Sequence, residues 1–191
     1  VGMSSRYLTN REQSEELQVF PIAFDGLAVV TNRSNAVNNI TREQLFDIYK
    51  GKVTNWKEVG GADQPIAVVT REASSGSRYS FESLLGLTKI INDRRVSDIN
   101  PNNLVVNSNS MVKTIVNHNP HAIGFISVGS VDRSIKAITF EGVEPTSKNI
   151  ANHSYELARP FLLLHKTDAV SDESKDFIKF VKSKQGQDLI E

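Results

Sequence analysis

Cysteine is absent from the 191 residues of the chain. Disulfide bonds and thiolate metal sites are therefore excluded, and the redox compartment cannot be inferred. The four histidines do not form a tight ligand pattern, so we expect no zinc site and no other metal or cofactor. No apolar run approaches the roughly 18 residues that a membrane-spanning helix needs.

Net charge is also lacking, because 22 basic residues balance 22 acidic ones. This balance argues against a nucleic-acid-binding protein that depends on a broad basic surface. A local anion site is still open, because one arginine and a few N–H groups can hold a small anion without net charge. The composition, 39% hydrophobic and 23% charged, is typical of a globular protein with one ordinary domain or two small lobes.

The alternation of strands and helices predicts an α/β architecture with largely parallel strand pairing. The clearest helix is "TREQLFDIY", in which Thr41 and Gln44 form a capping box and Gly51 ends the helix. A second helix is expected over 77–85. Two more are expected from Ser110, with Met111, Ile115 and Val116 inward, and from Ser171, with Phe177, Phe180 and Val181 inward.

Six segments read as strands. The first covers 20–32 and is expected to break near Asp25-Gly26, a common turn pair. The others are expected over 66–70, 104–107, 124–128, 135–140 and 161–165. The last of them, "FLLLH", is a continuous apolar run of the kind that is buried on both faces.

The stretch "TREASSGSRYSFESLL" at 70–85 places an arginine and a hydroxyl-rich turn between a strand and a helix. The first turn of a helix has about four N–H groups without an internal partner, and its dipole favours negative charge. Ser75 and Ser77 add hydroxyl donors, and Gly76 lets the backbone approach a ligand closely. Arg71 offers a planar fork of donors to two oxygens. The stretch therefore predicts a site for phosphate, sulfate or carboxylate.

A purely structural interpretation of the same stretch is equally open at this point. Ser74 or Ser75 would cap the helix, and Arg71 would form a surface ion pair with Glu72 or Glu82. The stretch lacks the Gly-Lys-Ser/Thr ending of a P-loop, so nucleotide hydrolysis is not expected. It also lacks the G-x-S-x-G nucleophile elbow, so a serine hydrolase would need a base from elsewhere in the fold.

The chain resembles the PstS-type phosphate-binding proteins, which feed the high-affinity phosphate ABC transporter of bacteria. The motif Arg-x-x-Gly/Ser-Ser-Gly-Thr/Ser-Arg, followed by a Phe-Glu helix, runs here from Arg71 to Glu82. Other matching stretches are "GMSSR" at 2–6, "AFDGLAVVTN" at 23–32, "ITREQLFDIYKGKVTNWKEVGG" at 40–61, "NPHAIGFISVGSV" at 119–131 and "FEGVEPT" at 140–146. The resemblance covers essentially the whole chain.

The resemblance implies the type II periplasmic-binding-protein fold, an α/β fold of two lobes joined by two hinge strands. Lobe I would consist of 1–25 and 160–191, and lobe II of 26–159. The family's first strand and the Gly/Ser/Thr-rich loop after it are absent, so we expect lobe I to be incomplete. The chain starts at Val1 without an initiator methionine or a signal peptide, so residues are expected to be missing before it.

The resemblance also assigns phosphate-binding residues to each lobe. Lobe II would supply Arg71, Ser75, Gly76 and Ser77, and lobe I would supply Ser4 and Ser5. Without the resemblance, Ser4 and Ser5 would be interpreted as a helix cap. Two nearby arginines, Arg6 and Arg78, could add positive potential at the cleft.

Two departures from the family pattern affect the expected site. Some members carry an aspartate at the position of Ser5, where it accepts the proton of hydrogen phosphate and rejects fully ionised sulfate. We hypothesise that Asp25, in the crossing segment, accepts this proton instead. The aspartate that some members carry two residues after the arginine is Ala73 here, which makes Glu72 a candidate to orient Arg71.

The resemblance implies a binding protein without enzymatic activity that captures inorganic phosphate between its lobes. It would work outside the cytoplasmic membrane, as a periplasmic protein or a cell-surface lipoprotein, and deliver phosphate to an ABC permease. We expect a monomer that binds no nucleic acid. The alternatives are a receptor for sulfate, molybdate or an organic phosphate, a hydrolase that uses Ser75 or Ser77, and an interaction module that has lost its ligand.

Overall fold

The computed structural model describes residues 1–190 and combines strands of 2 to 15 residues with helices of up to 11 residues. The strands are β1 (Gly2–Ser4), β2 (Leu17–Thr31), β3 (Asn39–Ile40), β4 (Ala67–Arg71), β5 (Thr88–Ile91), β6 (Arg94–Ser97), β7 (Leu104–Val106), β8 (Ala122–Ser127), β9 (Lys136–Ala137), β10 (Thr139–Phe140) and β11 (Ala158–Lys166). The helices are α1 (Arg42–Lys50), α2 (Gly76–Leu85), α3 (Asn109–His118), α4 (Ser147–Ala151), α5 (Asp172–Lys182) and α6 (Lys184–Ile190), with 3-10 helices at Trp56–Val59 and Val128–Ser130. Across residues 1–190, none of these helices is both long and apolar enough to cross a membrane.

The chain divides into two compact units. Unit 1 consists of Val1–Asp25 and Arg159–Glu191, and unit 2 consists of Gly26–Ala158. The chain therefore crosses between the units twice, once within β2 and once at the start of β11.

Unit 2 is built on a mixed sheet in which the order is β2-β8-β4-β7, with β9 on the other side of β2. Strands β7 and β8 run parallel to β4. Strand β2 runs antiparallel to both β8 and β9. The prediction of an α/β fold is confirmed, but largely parallel pairing is wrong because β2 opposes its neighbours.

The two faces of this sheet are covered by different helices. Successive side chains of a strand point to opposite faces, so Leu27 and Val29 of β2 join one core cluster while Ala28 and Val30 join the other. The first cluster includes the inward faces of α1 and α2, and the second includes that of α3. Helix α2, which follows the predicted anion-binding turn, is thereby held against the sheet by Phe81 and Leu85.

Helix α1 has the predicted boundaries because its end signals are local. The Thr41 hydroxyl accepts from the N–H of Gln44 at 3.2 Å, and the Gln44 side chain accepts from the N–H of Thr41 at 3.0 Å. Gly51 ends the helix with a φ of 79°, a left-handed conformation that favours glycine. The capping-box prediction is confirmed.

Strand β2 passes through Asp25-Gly26 without the predicted break. Gly26 forms no turn. It leaves room for the side chain of Ile150, because a Cβ at position 26 would lie 2.4 Å from Cδ1 of Ile150. The predicted strand over 135–140 is divided, since β9 pairs with β2 and β10 pairs with β3.

Helix α3 begins earlier than predicted, and only part of the predicted inward face is buried. Its N-cap is Ser108, whose hydroxyl accepts from the N–H of Met111 at 3.0 Å. Val116 is buried and Ile115 is partly buried against the same core cluster, as predicted, but Met111 is 48% exposed and Val112 is buried in its place. Gly124 of β8 allows this packing, because a Cβ there would lie 2.7 Å from Cγ1 of Val112.

Unit 1 places α5 against a small sheet. Strand β1 pairs antiparallel with β11, which also lies next to β2. Ser171 caps α5 as predicted. Phe177 and Phe180 were expected inward but are 51% and 43% exposed. Val181 is buried as predicted, and it packs on Leu163 of β11 together with Ile178.

Strand β11 is less buried than the sequence indicates. Leu162 and Leu163 are buried, but the neighbouring side chains are half-buried, so the expected burial on both faces holds only at the centre of the strand. The sequence analysis also missed the β5–β6 hairpin, whose turn residues Asn92 and Asp93 are both left-handed, with φ of 49° and 60°.

Candidate functional site

The turn between β4 and α2 is fixed by two hydrogen bonds of Ser75. Its N–H donates to the carbonyl of Glu72 at 3.0 Å, and its Oγ accepts from the N–H of Arg78 at 3.2 Å. Ser75 is thus the N-cap of α2, with an extended backbone. Because its Oγ accepts in this cap, its own O–H stays available to donate to a ligand.

The first residues of α2 present further donors. No acceptor within residues 1–190 lies in hydrogen-bonding position for the N–H groups of Gly76 and Ser77, as is usual at a helix start. Ser77 is largely buried, and its hydroxyl lies in the same first turn. The positive end of the helix dipole lies at this turn, which therefore favours an anion.

Arg71, the last residue of β4, is held by two side chains. Its Nε donates to Oε2 of Glu72 at 2.9 Å, and its Nη2 donates to Oε1 at 3.1 Å. Its Nη1 donates to Oδ1 of Asn109 at 3.0 Å. Hydrogen bonding from Arg71 lowers the pKa of the Glu72 carboxyl below its usual range. A guanidinium has five N–H groups, so these contacts leave one on each terminal nitrogen for a ligand.

The Arg78 side chain stabilises this turn through hydrogen bonds, and its charge is paired with a carboxylate. Its Nε donates to the buried carboxylate of Glu82 at 2.8 Å, and its Nη1 donates to the carbonyl of Arg71 at 2.8 Å. Its Nη2 donates to Oγ of Ser97 at 3.2 Å, and that hydroxyl donates to Glu82 at 2.8 Å. The network ties the backbone of Arg71 to α2 and to the β5–β6 hairpin.

Both contacts of the purely structural interpretation are present. Ser75 caps α2, and Arg71 pairs with Glu72. These contacts coexist with the donors needed for an anion, because each residue keeps at least one hydrogen-bond donor after its structural contact is made.

Ser4 and Ser5 lie in unit 1, at the end of β1. The Ser4 hydroxyl donates to the carbonyl of Arg6 at 2.8 Å and accepts from its N–H at 3.3 Å, so it stabilises a turn and caps no helix. Both serines line a cavity of about 450 Å³ whose other walls are mainly apolar side chains of β2 and β11. Arg6 forms a bidentate ion pair with Glu12, in which both N···O distances are 2.7 Å.

Asp25 also lies in unit 1, where its carboxylate pairs with Arg159 at 3.2 Å. Both side chains are largely buried. Asp25 on β2 and Arg159 on β11 are the residues of unit 1 that border the two chain crossings. The pair has no local signature in the sequence, because 134 positions separate its members.

The seven residues proposed from the sequence thus fall into two groups. The structure brings Arg71, Ser75, Gly76 and Ser77 together at the start of α2 in unit 2, whereas Ser4, Ser5 and Asp25 belong to unit 1. Sequence reasoning missed Asn109, which lies 38 positions from Arg71. Over the described range 1–190, no group of three or more His, Asp or Glu residues could hold a metal ion.

The chain matches the family model of the PBP superfamily domain (PBP_like_2) over residues 1–185. It is 31% identical over 195 residues to the phosphate-binding protein PstS of Borreliella burgdorferi. This match covers 100% of the chain and 70% of that protein.

Two solved structures are similar over nearly the whole chain. An ABC-type phosphate transport receptor from Vibrio cholerae is 63% identical, with a TM-score of 0.93, over 98% of this chain and 76% of that one. A putative phosphate ABC transporter substrate-binding protein from Clostridium perfringens, with bound phosphate, is 40% identical, with a TM-score of 0.82. That match covers 99% of this chain and 75% of that one.

Proposed function

Since the chain belongs to the PstS-type phosphate-binding proteins of the PBP superfamily, we propose that it captures inorganic phosphate for an ABC transporter. Units 1 and 2 would be the two lobes of the type II periplasmic-binding-protein fold. The lobes would close on the ion and deliver it to the membrane permease. The relatives named above are described as binding proteins or transport receptors, and the proposed role involves no chemical change of the ligand.

The observation that carries this proposal is the arrangement of donors around the start of α2. Arg71 keeps two N–H groups, Gly76 and Ser77 offer backbone N–H groups, and Ser75 offers its hydroxyl proton. A tetrahedral anion with four oxygens suits such a convergent set of donors. Nucleophilic use of Ser75 has no such support, because its Oγ accepts from a backbone N–H and no base contacts it within residues 1–190.

Unit 1 would contribute Ser4, Ser5 and Asp25. The serines can donate to or accept from phosphate, and the carboxylate of Asp25 can only accept. Arg159 neutralises the charge of Asp25, which reduces its repulsion of an approaching anion. Asp25 would then accept the proton of hydrogen phosphate, a bond that fully ionised sulfate cannot form.

The proposed receptor works outside the cytoplasmic membrane, either in a periplasm or as a lipoprotein on the cell surface. It acts as a monomer. Selectivity would come from dehydration of the ion, because each oxygen must then find a protein donor. Several charge-assisted hydrogen bonds in a dry site support micromolar affinity or tighter, roughly −8 kcal/mol or better.

Isothermal titration calorimetry with phosphate and then with sulfate, at neutral pH, tests the proposal. We expect micromolar or tighter phosphate binding and much weaker sulfate binding. Tighter binding of sulfate or molybdate would reassign the ligand, and absence of heat with every oxyanion would overturn the function.

A further inference from the structure

We infer that Arg159 is a second arginine of the phosphate site and that its Nε–H group donates directly to the bound anion. The inference rests on the proposed function and deepens it, because that function gives Arg159 only the role of neutralising Asp25. Unit 1 would then hold the anion through a cation as well as through the hydroxyl groups of Ser4 and Ser5.

The first support is a buried donor of Arg159 that the protein leaves without an acceptor. The side chain is only 11% exposed, and its Nη2 donates to Oδ2 of Asp25 at 3.2 Å. Its Nε is buried and meets no hydrogen-bond acceptor within residues 1–190. Buried polar groups of native proteins are nearly always hydrogen-bonded, because an unsatisfied one retains the full cost of its lost hydration. An oxygen of a bound anion would supply the acceptor that Nε lacks.

The second support is the position of Arg159 among the residues already proposed for unit 1. Its guanidinium contacts Asp25, and its Cζ lies 5.8 Å from the centre of the Phe161 ring. Phe161 in turn lines the same cavity as Ser4 and Ser5. Arg159 is therefore in direct contact with one proposed phosphate residue and is one side chain away from the other two.

The third support is the chemistry of the guanidinium group. Ser4 and Ser5 are neutral and Asp25 is acidic, so these three residues alone would present a net negative charge to an anion. A lysine could neutralise Asp25 as well as an arginine. An arginine can also direct one N–H group to a carboxylate and another to a phosphate oxygen, because its five donors are spread over a rigid plane. The two roles of Arg159, neutralisation and donation, can therefore be separated by exchanging it for lysine.

Phosphate calorimetry of the Arg159→Lys variant is the first test. Lysine keeps the positive charge beside Asp25 but lacks the Nε–H group. We expect about tenfold weaker binding, which corresponds to the loss of one hydrogen bond to a charged group. Arg94→Lys, at an exposed arginine of β6, is the matched control and should change the affinity by less than about twofold. Thermal unfolding of each variant verifies that it is folded.

The same exchange in an Asp25→Asn background removes the neutralising role from the comparison. Asparagine carries no charge, so a residue that only neutralises Asp25 has no function left in this variant. Under that role, adding Arg159→Lys to Asp25→Asn changes nothing. Under direct donation, it should again weaken phosphate binding about tenfold.

The proton–nitrogen NMR signal of the Arg159 Nε–H group gives a direct readout in the unsubstituted protein. The signal is assigned by its absence from the Arg159→Lys spectrum. Phosphate should shift it, and the shift should saturate with the dissociation constant found by calorimetry. The Nε–H signal of Arg94 should stay in place.

The outcomes separate this inference from the proposed function. If phosphate binds but leaves the Arg159 Nε–H signal unmoved, direct donation is overturned and the phosphate receptor stands. Unchanged phosphate affinity of folded Arg159→Lys variants, with or without Asp25→Asn, overturns it as well. If the unsubstituted protein binds no phosphate, the proposed function itself is overturned, and the inference falls with it.

Discussion

Replacement of Arg71 by alanine is the most informative single change in the candidate site. The side chain supplies two N–H groups to the expected anion, after Glu72 and Asn109 have taken the other three. Hydrogen bonds to charged groups contribute about 1.5–3 kcal/mol each, so the gross loss is about 3–6 kcal/mol. Water that enters the space left by the side chain will recover part of this. We therefore expect a net loss of at least about 2 kcal/mol, or about 30-fold in the dissociation constant.

Part of the loss will come from Glu72, whose carboxylate is left without its partner beside the anion. The double variant Arg71→Ala/Glu72→Gln separates this repulsion from the lost hydrogen bonds, and it should bind phosphate more tightly than Arg71→Ala alone. Arg94→Ala is the matched control, because Arg94 is an exposed arginine of β6 in the same unit. Calorimetry at neutral pH is the assay. A loss below about 0.5 kcal/mol, roughly twofold, would refute the assignment of Arg71.

Three further predictions concern other parts of the chain. Asp25→Asn should reduce the preference for phosphate over sulfate, because an amide can donate where the carboxylate only accepts; an unchanged preference in competition calorimetry removes Asp25 from the site. Hydrogen bonds from Arg6 lower the pKa of Glu12 to about 2, so this ion pair stabilises the fold above the unfolded-state pKa, and the contribution is lost as the pH falls toward 2. A carbon-13 NMR titration of Glu12 with a midpoint near the ordinary value of 4.5 would contradict this. Gly124→Ala should lower the free energy of unfolding in urea by about 1–3 kcal/mol through its clash with Val112, whereas Gly129→Ala, where an added Cβ meets nothing within 4 Å, should not.

The parts of the fold that the sequence predicted correctly have local signals. Thr41, Gln44 and Gly51 define both ends of α1 within a short stretch of chain, and no distant contact is needed to interpret them. The turn before α2 was predictable for the same reason, because its arginine, serines and glycine lie close together in the sequence. The β5–β6 hairpin also has a local signal that the sequence interpretation did not use. The turn-forming pair Asn92-Asp93 lies directly between the two segments that form the strands.

The buried faces of α3 and α5 were predicted only in part, correctly at Val116 and Val181, because their apolar residues fit more than one face. Val112 faces the core because Gly124 leaves room for it. Ile178 faces inward because it packs on Leu163. Glu72 could be predicted as a partner of Arg71 because it is the next residue, whereas Asn109 and Arg159, the partners of Arg71 and Asp25 from distant parts of the sequence, are close to them only in the folded chain.

The central claim is that the start of α2 holds phosphate, and backbone amide NMR tests it most directly. Phosphate is added to the nitrogen-15-labelled protein, and the signals of Gly76 and Ser77 are followed. We expect both to shift and to saturate with the dissociation constant found by calorimetry, while Gly86 at the other end of α2 stays in place. Phosphate binding that leaves the Gly76 and Ser77 signals unmoved would contradict the claim.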